Sequence, residues 1–184
     1  MKLILLTLLL MFSNMLFAAT LIDLYPLQLQ FRYQDTASQA KEAVQYQALG
    51  FAAQQTDFRI GFEYSFQDSR TGNSSLSVET KNKEYSLFGG YRIFEISLPE
   101  RRRSLDIFVN GSLGSTQSEV TTQLLSSPST AQSDKNSVIG ASVAFVGRVK
   151  YFSIETEFKL LNSKNFSPQT IPVAQIKLGA TFPY

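Results

Sequence analysis

The chain of 184 residues contains no cysteine and no histidine. Without cysteine there is no disulfide framework, so an exported chain of this kind must be held together by its hydrogen-bond ladder. Without histidine it lacks the usual general base and the commonest metal ligand. It has almost no charge surplus either. The formal net charge is +2, or +1 once Lys2 is set aside, which leaves no basic surplus of the kind that binds nucleic acid. Long apolar runs are missing from the body of the chain, so no segment after the amino terminus has the roughly 20 apolar residues of a membrane-spanning helix. There is no linker that would mark a second domain and no internal repeat beyond the hairpin rhythm described below.

One apolar stretch is present, at the amino terminus. Lys2 is followed by Leu3 to Leu10, then by MFSNMLFAA and Thr20. A charged start, an apolar middle and a small-residue exit make the layout of a secretory signal peptide, with cleavage after Ala18 or Ala19. Residues 1–19 are therefore expected to be a signal peptide and residues 20–184 a single β domain.

The remaining chain alternates. In its last segment, residues 173–184 (VAQIKLGATFPY), Ala174, Ile176, Leu178, Ala180, Phe182 and Tyr184 share one parity. Gln175, Lys177, Gly179, Thr181 and Pro183 share the other, so the segment reads as a strand with one apolar and one polar face. Seven earlier stretches read the same way, over about residues 24–34, 44–53, 58–67, 83–96, 105–113, 139–149 and 152–160. Pro26 sits near the start of the first, where a strand tolerates it best. The second is the weakest, because its apolar residues change frame, which predicts a bulge near Gly50. Connections over residues 35–43, 68–82, 115–137 and 161–172 are long and polar, while those at 54–57, 97–103 and 150–151 are short. A soluble sandwich has no reason to keep that rhythm, whereas a transmembrane barrel has short periplasmic turns and longer outer loops.

Charge placement follows the same grammar. With each frame set by apolar residues alone, Arg32, Arg59, Glu63, Glu84, Arg92, Asp106, Arg148, Glu155, Glu157, Lys159 and Lys177 all fall on the polar parity. Lys83 and Glu95 fall on the apolar parity, at the ends of their strand. The interior of an eight-stranded barrel is only just wide enough for side chains, so the series of Phe, Tyr, Leu and Ile belongs outside and the charges inside. Tyr25, Tyr33, Phe58, Phe66, Tyr85, Phe152 and Tyr184 are candidates for two aromatic girdles. The expected fold is all-β, an eight-stranded antiparallel up-and-down transmembrane β-barrel. Six inward cations against five inward carboxylates predict a paired lumen network, because unpaired buried charge is costly.

In architecture and in its terminal GATFPY the chain resembles the small eight-stranded outer-membrane barrels of the OmpA/OmpX type. Tyr184 in place of the commoner terminal phenylalanine, and Pro183 beside it, depart mildly from that pattern. The resemblance implies location in the outer membrane of a Gram-negative bacterium, monomeric state, contact with outer-membrane lipids and lipopolysaccharide, and recognition of Phe182 and Tyr184 by the barrel assembly machinery. The resemblance is to barrels without a periplasmic peptidoglycan-binding domain, so the anchoring role of longer family members is not expected. Enzymes on such barrels rely on histidine, so no enzymatic activity and no cofactor are expected.

Three functions compete. The first is a structural or surface-interaction role, with the Ser/Thr/Gln-rich segment 115–137 as the candidate contact region and Lys41, Arg70, Lys81, Lys83, Lys135 and Lys164 facing lipopolysaccharide or solvent. The second is a small gated pore or ligand conduit, and the third a secreted soluble ligand-binding barrel. Arg101-Arg102-Arg103, in a short turn, reads either as a solvated turn or as a contact for anionic headgroups.

Overall fold

A computed structural model of the chain describes residues 21–35, 41–72, 76–98, 103–124, 127–132, 135–164 and 169–183. The expected signal segment and Tyr184 lie outside the described residues. Nine strands follow in order: β1 (Leu21–Asp35), β2 (Lys41–Gln55), β3 (Phe58–Gly72), β4 (Leu76–Leu98), β5 (Arg103–Leu124), β6 (Ser127–Gln132), β7 (Asn136–Val149), β8 (Phe152–Asn162) and β9 (Thr170–Pro183). Eight of them pair antiparallel with their neighbours, and β9 pairs with β1 to close the cylinder. Closure leaves no sheet edge in the wall, which is what a strand-built membrane span requires. The ninth, β6, pairs with the far end of β5.

One row of cross-strand partners runs from Leu21 through Gln54, Arg59, Gly90, Asn110, Ser142, Lys159 and Val173 and returns to β1 at Arg32. That is eleven positions above its start. One of them is a bulge residue, so the stagger is ten and the strands tilt by about 40°.

The wall is inverted relative to a soluble protein. On β8, Phe152, Ile154, Phe158 and Leu160 are exposed while Ser153, Glu155, Glu157 and Lys159 are buried. Across the barrel, large apolar side chains such as Leu27, Leu87, Leu113, Ile139 and Ile176 face outward. Soluble monomers rarely expose contiguous apolar patches beyond a few hundred Å², and this belt encircles the molecule. Tyr33 and Tyr85 stand on the outer wall toward the long-connection end, with Phe66 half-buried beside them; Phe58 and Phe152 stand at the short-turn end. Tyr91 joins that lower ring, edge-on to Phe58 at 5.1 Å between ring centres.

Two bulges correct the expected frames. Tyr25 partners Gly50 and Gln28 partners Ala48, so the extra residue lies in β1 at Pro26 and not in the second strand. The pairing of β1 with β9 shifts at the same place. Proline lacks the ladder donor, and a bulge relieves that deficit. Parity inverts below the bulge, so Asp23 and Tyr25 point inward while Leu24 faces out. Tyr25 is therefore a lumen residue and no part of a girdle. Glycine on both flanking strands makes room. A Cβ on Gly50 would stand 2.4 Å from the Phe62 carbonyl oxygen, and one on Gly179 would stand 2.1 Å from the Leu24 carbonyl oxygen and 2.8 Å from the Tyr25 ring. Strand β2 keeps one frame throughout, with Tyr46 and Ala48 buried inside and Leu49 outside.

The second bulge lies at Ile93, between the pairs Arg92–Phe108 and Phe94–Ile107. It carries Phe94, Ile96 and Leu98 onto the outer wall and returns Glu95 to the inner side, where it meets Arg92 at 2.9 Å. The outward placement of Glu95 expected from strict alternation is thus corrected.

The long connections are more ordered than their composition suggested. Strands β3 and β4 pair as far as Gly72–Ser77, β4 and β5 as far as Leu76–Leu124, and β6 adds to β5 from Glu119–Gln132 to Leu124–Ser127. β2 leaves β3 at the pair Gln47–Phe66, so a polar ribbon of four strands rises beyond the apolar belt. Much of segments 68–82 and 115–137 is strand because ladder hydrogen bonds need only backbone. Alternating apolar residues are needed only where lipid or a core must be faced.

Candidate functional site

Inward side chains fill the cylinder in three tiers. At the short-turn end, Arg148 on β7 donates to Asp23 on β1 at 2.6 Å, to Gln54 on β2 at 2.9 Å and to Asp106 on β5. Thr181 on β9 also donates to Asp23. Arg92 on β4 bridges Asp57 at 2.8 Å, Glu95 at 2.9 Å and Asp106 at 3.2 Å, and is partly exposed. Five strands and one turn are tied together here by two guanidinium groups, whose planar forks suit several carboxylate partners at once.

The middle tier is the densest. Lys177 on β9 stands 2.9 Å from Glu155, 2.6 Å from Glu157 and 3.3 Å from Glu63. Lys159 meets Glu63 at 2.7 Å and Glu157 at 3.4 Å. Arg59 donates from Nη1 and Nη2 to the two Glu155 oxygens, at 2.9 and 3.2 Å, and from Nε to Asn110 at 3.0 Å. Gln30 and Gln175 complete the shell of Glu63 at 2.7 and 2.9 Å. The Arg59 guanidinium lies 4.3 Å from the centre of the Phe108 ring, an apolar lid on its open face.

The upper tier is a single pair. Arg32 donates to Glu84 at 2.7 Å and covers the Tyr46 ring at 3.9 Å. Above it Val138, Leu161, Ile171 and Val173 form a small apolar cluster inside the barrel mouth.

All eleven charged positions on the polar parity therefore lie inside, together with two more, Asp23 and Glu95. Asp23 lies just before the first expected strand, which starts at residue 24, and so is assigned to neither face by the sequence; β1 begins earlier, at Leu21. With Asp23 and Glu95 the inner face carries six cations (Arg32, Arg59, Arg92, Arg148, Lys159, Lys177) against seven carboxylates (Asp23, Glu63, Glu84, Glu95, Asp106, Glu155, Glu157), of which Glu95 is half-exposed at the lower rim. The middle and upper tiers balance at three and one of each sign, while the lower tier sets two cations against Asp23 and Asp106 and the half-exposed Glu95 and Asp57 at its rim. The neutral partners Asn110, Gln30 and Gln175 and the ring of Phe108 were not singled out from sequence, since nothing separates them there from other lumen-facing residues. Arg59, Lys177 and Glu155 are at most 1 % exposed. At mid-height the lumen is thus closed to water.

On the outer ribbon, Lys81 donates to Glu79 at 2.7 Å, which holds that carboxyl below its ordinary value and raises the ammonium. Asn82 links the ribbon strands, donating to Gln67 at 2.6 Å and accepting from Ser118 at 2.6 Å. Phe182 is half-exposed at the short-turn end.

A closed eight-stranded cylinder with an apolar wall and an ion-filled lumen has the fold of the small outer-membrane barrels. It superposes on the attachment invasion locus protein Ail of Yersinia pestis with a TM-score of 0.58 at 11 % identity, over 89 % of this chain and 97 % of that one. The same protein in complex with the heparin analogue sucrose octasulfate gives 0.59 at 12 % identity and the same coverage. Neisserial surface protein A gives 0.53 at 9 % identity, over 90 % of this chain and 98 % of that one. No protein-family model and no curated protein sequence matches the chain.

Proposed function

We propose that this chain is an integral barrel of the bacterial outer membrane, without enzymatic activity, that presents a polar ribbon at the cell surface for partner contact. The observation that carries the reading is the inverted wall, apolar outside around the cylinder and charged inside on seven of its eight strands. In water such a belt would drive aggregation, while in a bilayer it matches its solvent. Export by residues 1–19, recognition of Phe182 and Tyr184 during assembly, and contact of the loop-end lysines with lipopolysaccharide belong to the same reading. So does the monomeric state. Similarity in fold to a protein named for attachment and to a surface protein supports placing the ribbon outward, with the short turns in the periplasm.

Envelope fractionation followed by a detergent gel of boiled and unboiled samples tests the membrane claim. The chain is expected in the outer-membrane fraction, with mobility that changes on heating. Recovery in the soluble periplasm with one mobility would overturn it.

The tiered ion pairs favour a plug over a pore. Planar bilayers containing the protein are expected to show no discrete conductance steps. Steps in the wild type that change in Glu63→Ala or Lys177→Ala would replace the plug by a gated path.

A further inference from the structure

Every cation inside the barrel has a carboxylate partner, but two cations at the short-turn end have none among the described residues. Arg103 opens β5 and lies across from Leu98 on β4 and Val149 on β7. All three face outward and are exposed, so Arg103 is a charge set in an apolar row at the lip of the wall. Lys150 follows Val149 directly, in the two-residue turn Lys150–Tyr151. Its φ of 57° is the left-handed value that glycine adopts freely and lysine does not. Neither residue serves the lumen network, and the lysine is held where glycine would be cheaper. Backbone strain kept at a turn is a reason to ask what the side chain contacts. Tyr151, beside it, is exposed, and its carbonyl accepts from the Thr181 amide at 2.9 Å, which fastens the turn to β9. Arg103 and Lys150 also border a recess of about 420 Å³ at the lower mouth of the barrel, whose inner lining includes Arg92, Glu95, Asp106 and Arg148.

We infer that Arg103 and Lys150 form a clasp for the phosphate of an anionic phospholipid in the leaflet at the short-turn end. Charge complementarity selects the occupant. Leu98, Leu105 and Val149 present an apolar surface for acyl chain, and the two cations stand at headgroup level immediately beside it. A long basic side chain in such a row lays its methylenes on the apolar wall and extends its charged end to the interface. Tyr151 suits the same boundary, apolar in its ring and polar at its tip. A glycine at position 150 would ease the turn and lose one of the two cations.

The inference rests on the membrane-barrel reading, and one experiment separates the two. The full chain is reconstituted in phosphatidylcholine vesicles carrying trace spin-labelled phosphatidylglycerol or spin-labelled phosphatidylcholine, and the motionally restricted lipid fraction is read by electron paramagnetic resonance. The wild type is expected to prefer phosphatidylglycerol by about threefold, less than the roughly fivefold that one basic residue near an anionic surface confers, because the shell average includes sites away from the clasp. The preference should shrink in salt. Arg103→Gln combined with Lys150→Gly is expected to abolish it while the heat-modifiable band is kept, and Lys150→Gly alone should preserve or raise thermal stability while weakening the preference. A wild type without preference, or a double variant that retains it, overturns the clasp. So does loss of the preference on Lys83→Gln alone, which would move lipid selection to the loop end. Absence of any restricted component for either lipid would overturn the membrane reading and the clasp together.

Discussion

Lys177→Met is expected to destabilise the folded barrel by about 3–5 kcal/mol, the usual consequence of removing one partner from a buried ionic cluster. Lys177 is the hub of the middle tier, within 3.3 Å of Glu63, Glu155 and Glu157. Its loss leaves three carboxylates to share Arg59 and Lys159 in a region closed to water, where their mutual repulsion is weakly screened. Methionine fills most of the space, so the effect reports charge more than volume. A second substitution makes the attribution specific. Glu157→Gln in the Lys177→Met background restores the balance of signs and keeps an oxygen to accept from Ser142, which now donates to Glu157 at 2.5 Å. It should recover most of the loss. Urea unfolding of the reconstituted protein, followed by the folded band on unboiled gels, measures both. A Lys177→Met barrel within about 1 kcal/mol of wild type would mean that water enters the lumen and screens the carboxylates.

Deletion of Pro26 is expected to abolish the folded barrel, while Pro26→Ala is tolerated within about 1 kcal/mol. What orients the start of β1 is the count of residues and not the ring of proline. Removing one residue inverts the parity of the segment below it, as any one-residue slip does. Asp23 and Tyr25 would then face lipid, and Leu24 would enter the lumen. A carboxylate on the lipid face is unfavourable, and Arg148 would lose the partner it holds at 2.6 Å. That second loss alone is worth about 3–5 kcal/mol. The amide positions of Gly50 and Gly179, shaped for the bulge, would gain no compensating contact. Heat-modifiable mobility of the two variants side by side decides the matter. A stable, heat-modifiable deletion variant would show that the lower segment re-pairs without the bulge.

The closing strand shows how far the linear pattern reaches. Its alternation places Ile176 and Phe182 outside and Gln175, Lys177 and Thr181 inside, as in the fold. Side-chain period in a strand is fixed at two, so parity is legible wherever the strand is regular. On β5, β7, β8 and β9 that was enough to sort every charged residue lying within the apolar belt. On β1 and β4 it was not, because Pro26 and Ile93 each add one residue whose effect appears only across the ladder. Tyr25 and Glu95 were misplaced for that one reason. The ribbon was missed for another. With neither lipid nor core to face, its strands carry no alternation, and backbone pairing leaves no mark in composition.

From the order of its residues alone, this chain specified eight alternating staves, long and short connections in turn, and a set of charges that share the polar parity. Those properties are local, set by the strand period and by the polarity of each side chain. Which charges meet is a property of the closed cylinder only. Arg59 reaches Glu155 across 96 residues and Arg148 reaches Asp23 across 125. A stagger of ten around eight tilted strands brings such positions to one height. The pairing within each tier follows from that closure, and no segment of the chain carries it by itself.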